Sequence, residues 1–130
     1  MRKGESLIQK VDCIRLYVGD LEDGLSFYRD KLGLKPIWRT EQAVGLGMPG
    51  DQTEIVLHTQ PQEPEIDLKV ESADEAAIQI EKAGGQVVVP PFDIQIGRCV
   101  VVQDPWENQL VLLDTTKGLL VTDSEGYVIN

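Results

Sequence analysis

The sequence predicts an α+β fold made of two βαβββ modules. Three observations predict it. Short runs with alternating apolar residues recur along the chain, the period of a half-buried strand. Two stretches carry apolar residues at helical spacing behind an N-cap residue. The order strand, helix and three strands occurs twice, and an internal repeat constrains a fold more than a single motif does.

Module one spans 9–59. Val11–Val18 alternates, with Ile14, Leu16 and Val18 on one face and Cys13, Arg15 and Tyr17 on the other. Asp20 is placed to cap a helix, with Glu22 and Asp23 in its first turn, where acids suit the helix dipole. Leu21, Leu25, Tyr28 and Leu32 make one helical stripe, and Gly33 is a natural stop. Strands are expected at Lys35–Arg39, Ala43–Gly47 and Glu54–Thr59, the last two joined by the Met48-Pro49-Gly50-Asp51 turn.

Residues 60–64, Gln-Pro-Gln-Glu-Pro, read as an extended linker. Module two spans 65–115. Glu65–Val70 alternates, with Glu65, Asp67 and Lys69 on one face. Ser72 and Glu75 form an S-x-x-E capping box. Ala73, Ala76, Ala77 and Ile80 make the second stripe, which ends at Gly84-Gly85. Strands follow at Gln86–Val89, Arg98–Gln103 and Gln109–Leu113, with the Asp104–Asn108 turn before the last and Asp114 facing outward by alternation. The tail, 116–130, reads either as a small hairpin around Asp123-Ser124-Glu125-Gly126 or as a fraying end.

The helices cover one face of each sheet, so the other faces meet or enclose something. The mixed polarity of those faces suits a wet pocket. With 42% apolar residues the chain has enough for a core, and its apolar runs are too short for a membrane span. No apolar stretch follows the charged start, so a signal peptide is not expected. Net charge is −10; residues 61–130 hold 4 basic and 13 acidic side chains. Such a surface repels phosphate backbones and speaks against nucleic-acid partners. Cys13 and Cys99 stand alone with no CxxC pattern, as expected of reduced thiols in the cytoplasm.

Val18-Gly19-Asp20-Leu21 followed by Phe27-Tyr28-Arg29-Asp30-Lys31-Leu32-Gly33 resembles the V-x-D-L…F-Y-x-x-x-L-G signature of the glyoxalase/bleomycin-resistance/dioxygenase (vicinal oxygen chelate) superfamily. Asp104-Pro105-Trp106-Glu107-Asn108 is similar to its D-P-x-G-N turn, with Glu107 in the glycine's place. Together with the repeat, the resemblance covers roughly residues 9–115. It implies a single domain whose two modules form a cup-shaped mixed sheet with helices on the outer face, commonly in a homodimer. It also implies one divalent metal, held by the first and fourth strand of each module.

Carried over by position, those ligand places fall on Cys13, Val56, Glu65 and Val111. Valine has no lone pair to donate, and Cys13 with Glu65 alone does not satisfy a hard cation. The expected function is therefore metal-independent small-molecule binding of the bleomycin-resistance kind, sequestering a drug or metabolite, without a cofactor. The acidic balance favours a cationic ligand. The alternative is a glyoxalase-, lyase- or dioxygenase-like enzyme with an atypical divalent metal site drawing on Cys13, Glu54, His58 and Glu65. A third reading is a regulatory subunit that assembles through its tail.

The expected ligand-binding set is Cys13, Arg15, Tyr17, Trp38, Glu54, Val56, His58, Glu65, Asp67 and Val111. His58 and Glu65 are the candidates for catalysis. His58, the only histidine, is either a strand-end residue near solvent or a ligand donor and general base. Glu65, Asp67 and Arg15 either pair with one another or line a pocket wall. Trp38 is a stacking wall or a packing residue, and Trp106 a packing or surface residue.

Overall fold

In the computed structural model, which describes residues 6–129, the first alternating run forms β1 (Lys10–Tyr17) and the stripe behind it forms α1 (Leu21–Leu25). Asp20 caps α1 with extended backbone, and its carboxylate accepts the Asp23 N–H at 3.0 Å. Beyond Leu25 the helix widens, and Ser26–Lys31 is π-helical. The expected stripe breaks there. Leu21 and Leu25 are buried and Tyr28 packs beside them, but Leu32 is 56% exposed and Leu34 packs in its stead. A π turn holds more residues than an α turn, so a side chain counted forward at α spacing rotates off the buried face.

β2 (Lys35–Arg39), β3 (Ala43–Met48) and β4 (Asp51–His58) form an antiparallel meander, and β4 lies parallel to β1 in the order β2-β3-β4-β1. One face buries Val44, Leu46 and Leu57 against Leu21 and Leu25. The other face carries Cys13, Arg15 and Tyr17 beside Glu54, Val56 and His58.

The second array repeats the plan with β5 (Glu65–Lys69), α2 (Ala73–Lys82), β6 (Gln86–Ile94), β7 (Gly97–Gln103) and β8 (Gln109–Leu113), in the order β5-β8-β7-β6. Its core joins Leu68, Val70, Val100, Val102 and Leu112 to Ala73, Ala76 and Ala77 of α2. Ser72 accepts the Glu75 N–H at 3.1 Å, as its place in the capping box predicts. β6 runs on through Pro90-Pro91, past the expected end at Val89, with register shifts on either side of Val89. Proline, which lacks a ladder donor, is accommodated on an edge strand and at bulges.

Asp114 turns away from the face of Val111 and Leu113, as alternation predicts, and lies on the helix-covered side with Leu112. It is 2% exposed, and it accepts the backbone N–H groups of Ala73 and Arg98, both at 2.8 Å, and the Thr116 hydroxyl at 2.9 Å. Alternation carries one residue past Leu113, so Asp114 reaches α2 and satisfies its first N–H. Burial pushes the Asp114 carboxyl up, but the hydrogen bonds together outweigh it and hold the pKa below the ordinary value.

The chain divides into two compact units. One comprises the described residues up to Val11 with Ile66–Leu119; the other comprises Asp12–Glu65 with the tail from Leu120. The tail is a hairpin rather than a frayed end. Asp123 accepts the N–H groups of Glu125 at 2.8 Å and Tyr127 at 3.0 Å, and Gly126 sits at φ 88. It docks on β2: Arg39 donates its N–H to the Gly126 carbonyl at 2.8 Å and accepts the Val128 N–H at 3.0 Å. The Arg39 guanidinium lies over the Tyr127 ring, 5.1 Å from its centroid.

Candidate functional site

The polar face of the first sheet gathers most of the expected site residues. Parallel pairing of β1 with β4 sets Cys13 beside Glu54, Arg15 beside Val56 and Tyr17 beside His58. On the far side of β4, Gly45 pairs with Val56 and Ala43 with His58. Trp38 of β2 lies opposite Gly45. The indole occupies the space a β-carbon on Gly45 would need, so the missing side chain lets the ring lie across the sheet. Its Nε1–H donates to Glu54 Oε1 at 2.7 Å. Trp38 packs on Cys13, Ala43 and Val56. It is a packed wall over the sheet, tied to the carboxylate beside it.

His58 is buried, at 4% exposure, which overturns its reading as a strand-end residue near solvent. Its Nδ1 accepts the Gln60 N–H at 3.2 Å, so in the neutral ring the proton sits on Nε2. That Nε2 is buried and has no hydrogen-bond partner among the described residues. Burial, then the nearby Arg15 charge, lowers the His58 pKa from its ordinary value; Glu65 and the Gln60 hydrogen bond oppose the shift. Arg15 Nε lies 3.8 Å from Glu65 Oε2, with both side chains partly exposed. The Tyr17 and His58 ring centroids are 6.4 Å apart.

The second sheet keeps the pairing and changes the chemistry. Asp67 lies beside Val111 and Lys69 beside Leu113, with Val101 and Cys99 across the strand. Cys99, Leu113 and Asp67 are buried, so this face is also of mixed polarity, with its charged groups on β5. Neither cysteine is in a disulfide.

These residues do not fit a divalent metal. Val56 and Val111 occupy two of the four places the resemblance implies for ligands. Glu54 is held by Trp38 and Glu65 faces Arg15. Among the described residues, no group of three His, Cys, Asp or Glu side chains stands close enough to share an ion. The alternative set of Cys13, Glu54, His58 and Glu65 is therefore not a preformed chelate. Sequence spacing does not reveal the anchoring role of Asp114 or the role of Gly45. A glycine opposite a tryptophan on neighbouring strands was the available signal for the second.

The sequence profile of the Glyoxalase/Bleomycin resistance protein/Dioxygenase superfamily matches residues 10–112. The chain belongs to this superfamily. Solved structures with the same fold include methylmalonyl-CoA epimerase from Mycobacterium tuberculosis, at 18% identity and a TM-score of 0.69, with 88% of this chain and 93% of that one covered. The Mn(II)-bound glyoxalase from Novosphingobium aromaticivorans matches at 20% identity and a TM-score of 0.63, covering 88% of this chain and 42% of that one. Homoprotocatechuate 2,3-dioxygenase from Brevibacterium fuscum matches at 22% and 0.64, covering 86% and 38%. At such identities the likeness establishes the fold. No curated protein matches the chain. No helix among the described residues is long and apolar enough to cross a membrane.

Proposed function

We propose that this superfamily member binds a small molecule without a metal and sequesters it rather than transforming it. One observation carries the reading: hydrocarbon side chains, Val56 and Val111, lie at matching places in the two modules, each beside a polar residue of the first strand, Arg15 or Asp67. A single valine is a lost ligand. The same loss in both halves leaves a superfamily site without the carboxylates a hard cation requires. Glu54, the nearest carboxylate, has one oxygen engaged by Trp38. The bound molecule meets the polar face of module one, where Arg15, Tyr17 and His58 offer donors. The reading includes a homodimer, which the superfamily resemblance supports. It also includes a cytoplasmic setting, consistent with two buried cysteines outside any disulfide.

Elemental analysis of protein purified without chelator tests it. Only trace metal is expected. Near-stoichiometric zinc, nickel, manganese or iron overturns the reading in favour of a glyoxalase- or lyase-like enzyme, the alternative that the Mn(II)-bound neighbour favours. Calorimetric titration with a broad set of anionic, cationic and planar neutral compounds is the second arm, and saturable binding is expected.

A further inference from the structure

We propose that the corner formed by His58, Arg15 and Tyr17 recognises a hydrogen-bond acceptor, and that His58 Nε2–H donates to a carboxylate or carbonyl oxygen of the bound molecule. The proposal rests on the small-molecule-binding reading and names the ligand class for the same site.

Three observations carry it. First, the tautomer is fixed. Nδ1 is engaged by the Gln60 N–H, so the proton lies on Nε2, at the tip of the ring. His58 shares its sheet face with Tyr17, its register partner, and with Arg15. Second, this N–H is buried and has no partner among the described residues. A buried donor left unmade costs on the order of 1–3 kcal/mol, a penalty that an incoming acceptor removes. Third, the surroundings select the acceptor's charge. Arg15 is the adjacent cation, and its contact with Glu65, at 3.8 Å, is longer than a hydrogen bond. Its guanidinium therefore retains donors for a second oxygen. Tyr17, exposed beside them, adds a flat flank. A cation would face an N–H and a guanidinium here. Glu65 is the carboxylate beside Arg15, and residues 1–60 hold 8 basic and 9 acidic side chains, close to neutral.

The presence of a single histidine makes the test direct. Nitrogen-correlated spectra of the full chain report one imidazole. They are followed during titration with benzoate, with benzamide as a neutral acceptor and with benzamidinium as the matched planar cation. The expected result is an Nε2-protonated ring whose proton signal moves downfield with benzoate, less with benzamide and not with benzamidinium. His58→Phe is expected to weaken benzoate binding about tenfold or more, the loss of a hydrogen bond to a charged group, and His58→Gln, which keeps a donor, to restore part of it. Unmoved imidazole signals up to about 10 mM benzoate, beyond the weak end of ordinary ligand affinity, overturn the proposal. So does movement with benzamidinium alone. If the His58 variants fail to fold, the wild-type spectrum still decides. The two readings fail differently. Saturable binding of other compounds with the imidazole unmoved ends this inference and leaves metal-independent binding standing; a resident metal ends both.

Discussion

The two modules share strand order and equivalent backbone hydrogen bonds at their strand ends and differ in what they place on that frame. Val18 N–H donates to the His58 carbonyl and Val70 N–H to the Leu113 carbonyl, both at 2.8 Å. Thr59 N–H bonds the Gln42 carbonyl at 3.2 Å, and Asp114 N–H bonds the Arg98 carbonyl at 2.9 Å. At matched positions, His58 stands for Leu113, Gly45 for Val101, Arg15 for Asp67 and Thr59 for Asp114. Module one therefore has an indole lying over a glycine and a buried imidazole. Module two has leucine and valine at the places of the imidazole and the glycine, and a buried carboxylate that anchors its helix. Alternation and caps set the backbone; a few substitutions on one face set the chemistry.

Removing the anchor of module two should have the largest effect. Asp114→Ala orphans the N–H groups of Ala73 and Arg98, and about 3 kcal/mol of stability should be lost in denaturant unfolding. Thr59→Ala, its counterpart, should cost under about 1 kcal/mol. The sign with pH follows from the shift. The folded pKa of Asp114 lies below its ordinary 3.8, so its contribution is complete above that value and is lost as pH falls through the lower folded value. The variant should lack that component of acid sensitivity. Equal losses in the two variants would erase the distinction.

Gly45→Ala should come next. A methyl group there displaces the Trp38 indole and strains its bond to Glu54, at a cost of about 2 kcal/mol. In a Trp106→Phe background the Trp38 emission should shift to the red. Unchanged emission would mean that the glycine is not what seats the ring.

The smallest effect concerns two turns. Asp104 accepts the N–H groups of Trp106 and Asn108, both at 2.9 Å, as Asp123 does those of Glu125 and Tyr127. The fourth residue of each turn has positive φ: Glu107 at 71 and Gly126 at 88. Glu107→Gly relieves a left-handed residue worth about 1–2 kcal/mol and adds unfolded-chain entropy worth about 0.5–1 kcal/mol. Thermal unfolding should show a net gain of up to about 1.5 kcal/mol. Gly126→Ala should go the other way.

Much of this frame was legible in the residues. Asp20 and Ser72 announce the helix starts, and the aliphatic alternation of Ile14, Leu16 and Val18 identifies the core face. Leu32 was misplaced because nothing in the spacing signals a π turn. Alternation gives the face of Asp114 but not its burial, which depends on α2 closing over it. His58 was readable as a site residue and not as a buried one, since burial depends on neighbours from β1 and β3 that sequence distance conceals. The valines at 56 and 111 were visible only through the resemblance, which supplies the places where ligands belong.

The docking of the tail on Arg39 bears on self-association. β2 ends its module's strand order, and an unpaired strand border is a template for another chain. Here Gly126 and Val128 already take the Arg39 amide and carbonyl, while β6, at the corresponding border, interrupts its own amide row with Pro90 and Pro91. At one border the tail bridges the chain at Arg39, and at the other the prolines withhold donors, so the first guard can be shortened away and the second is built into the strand itself.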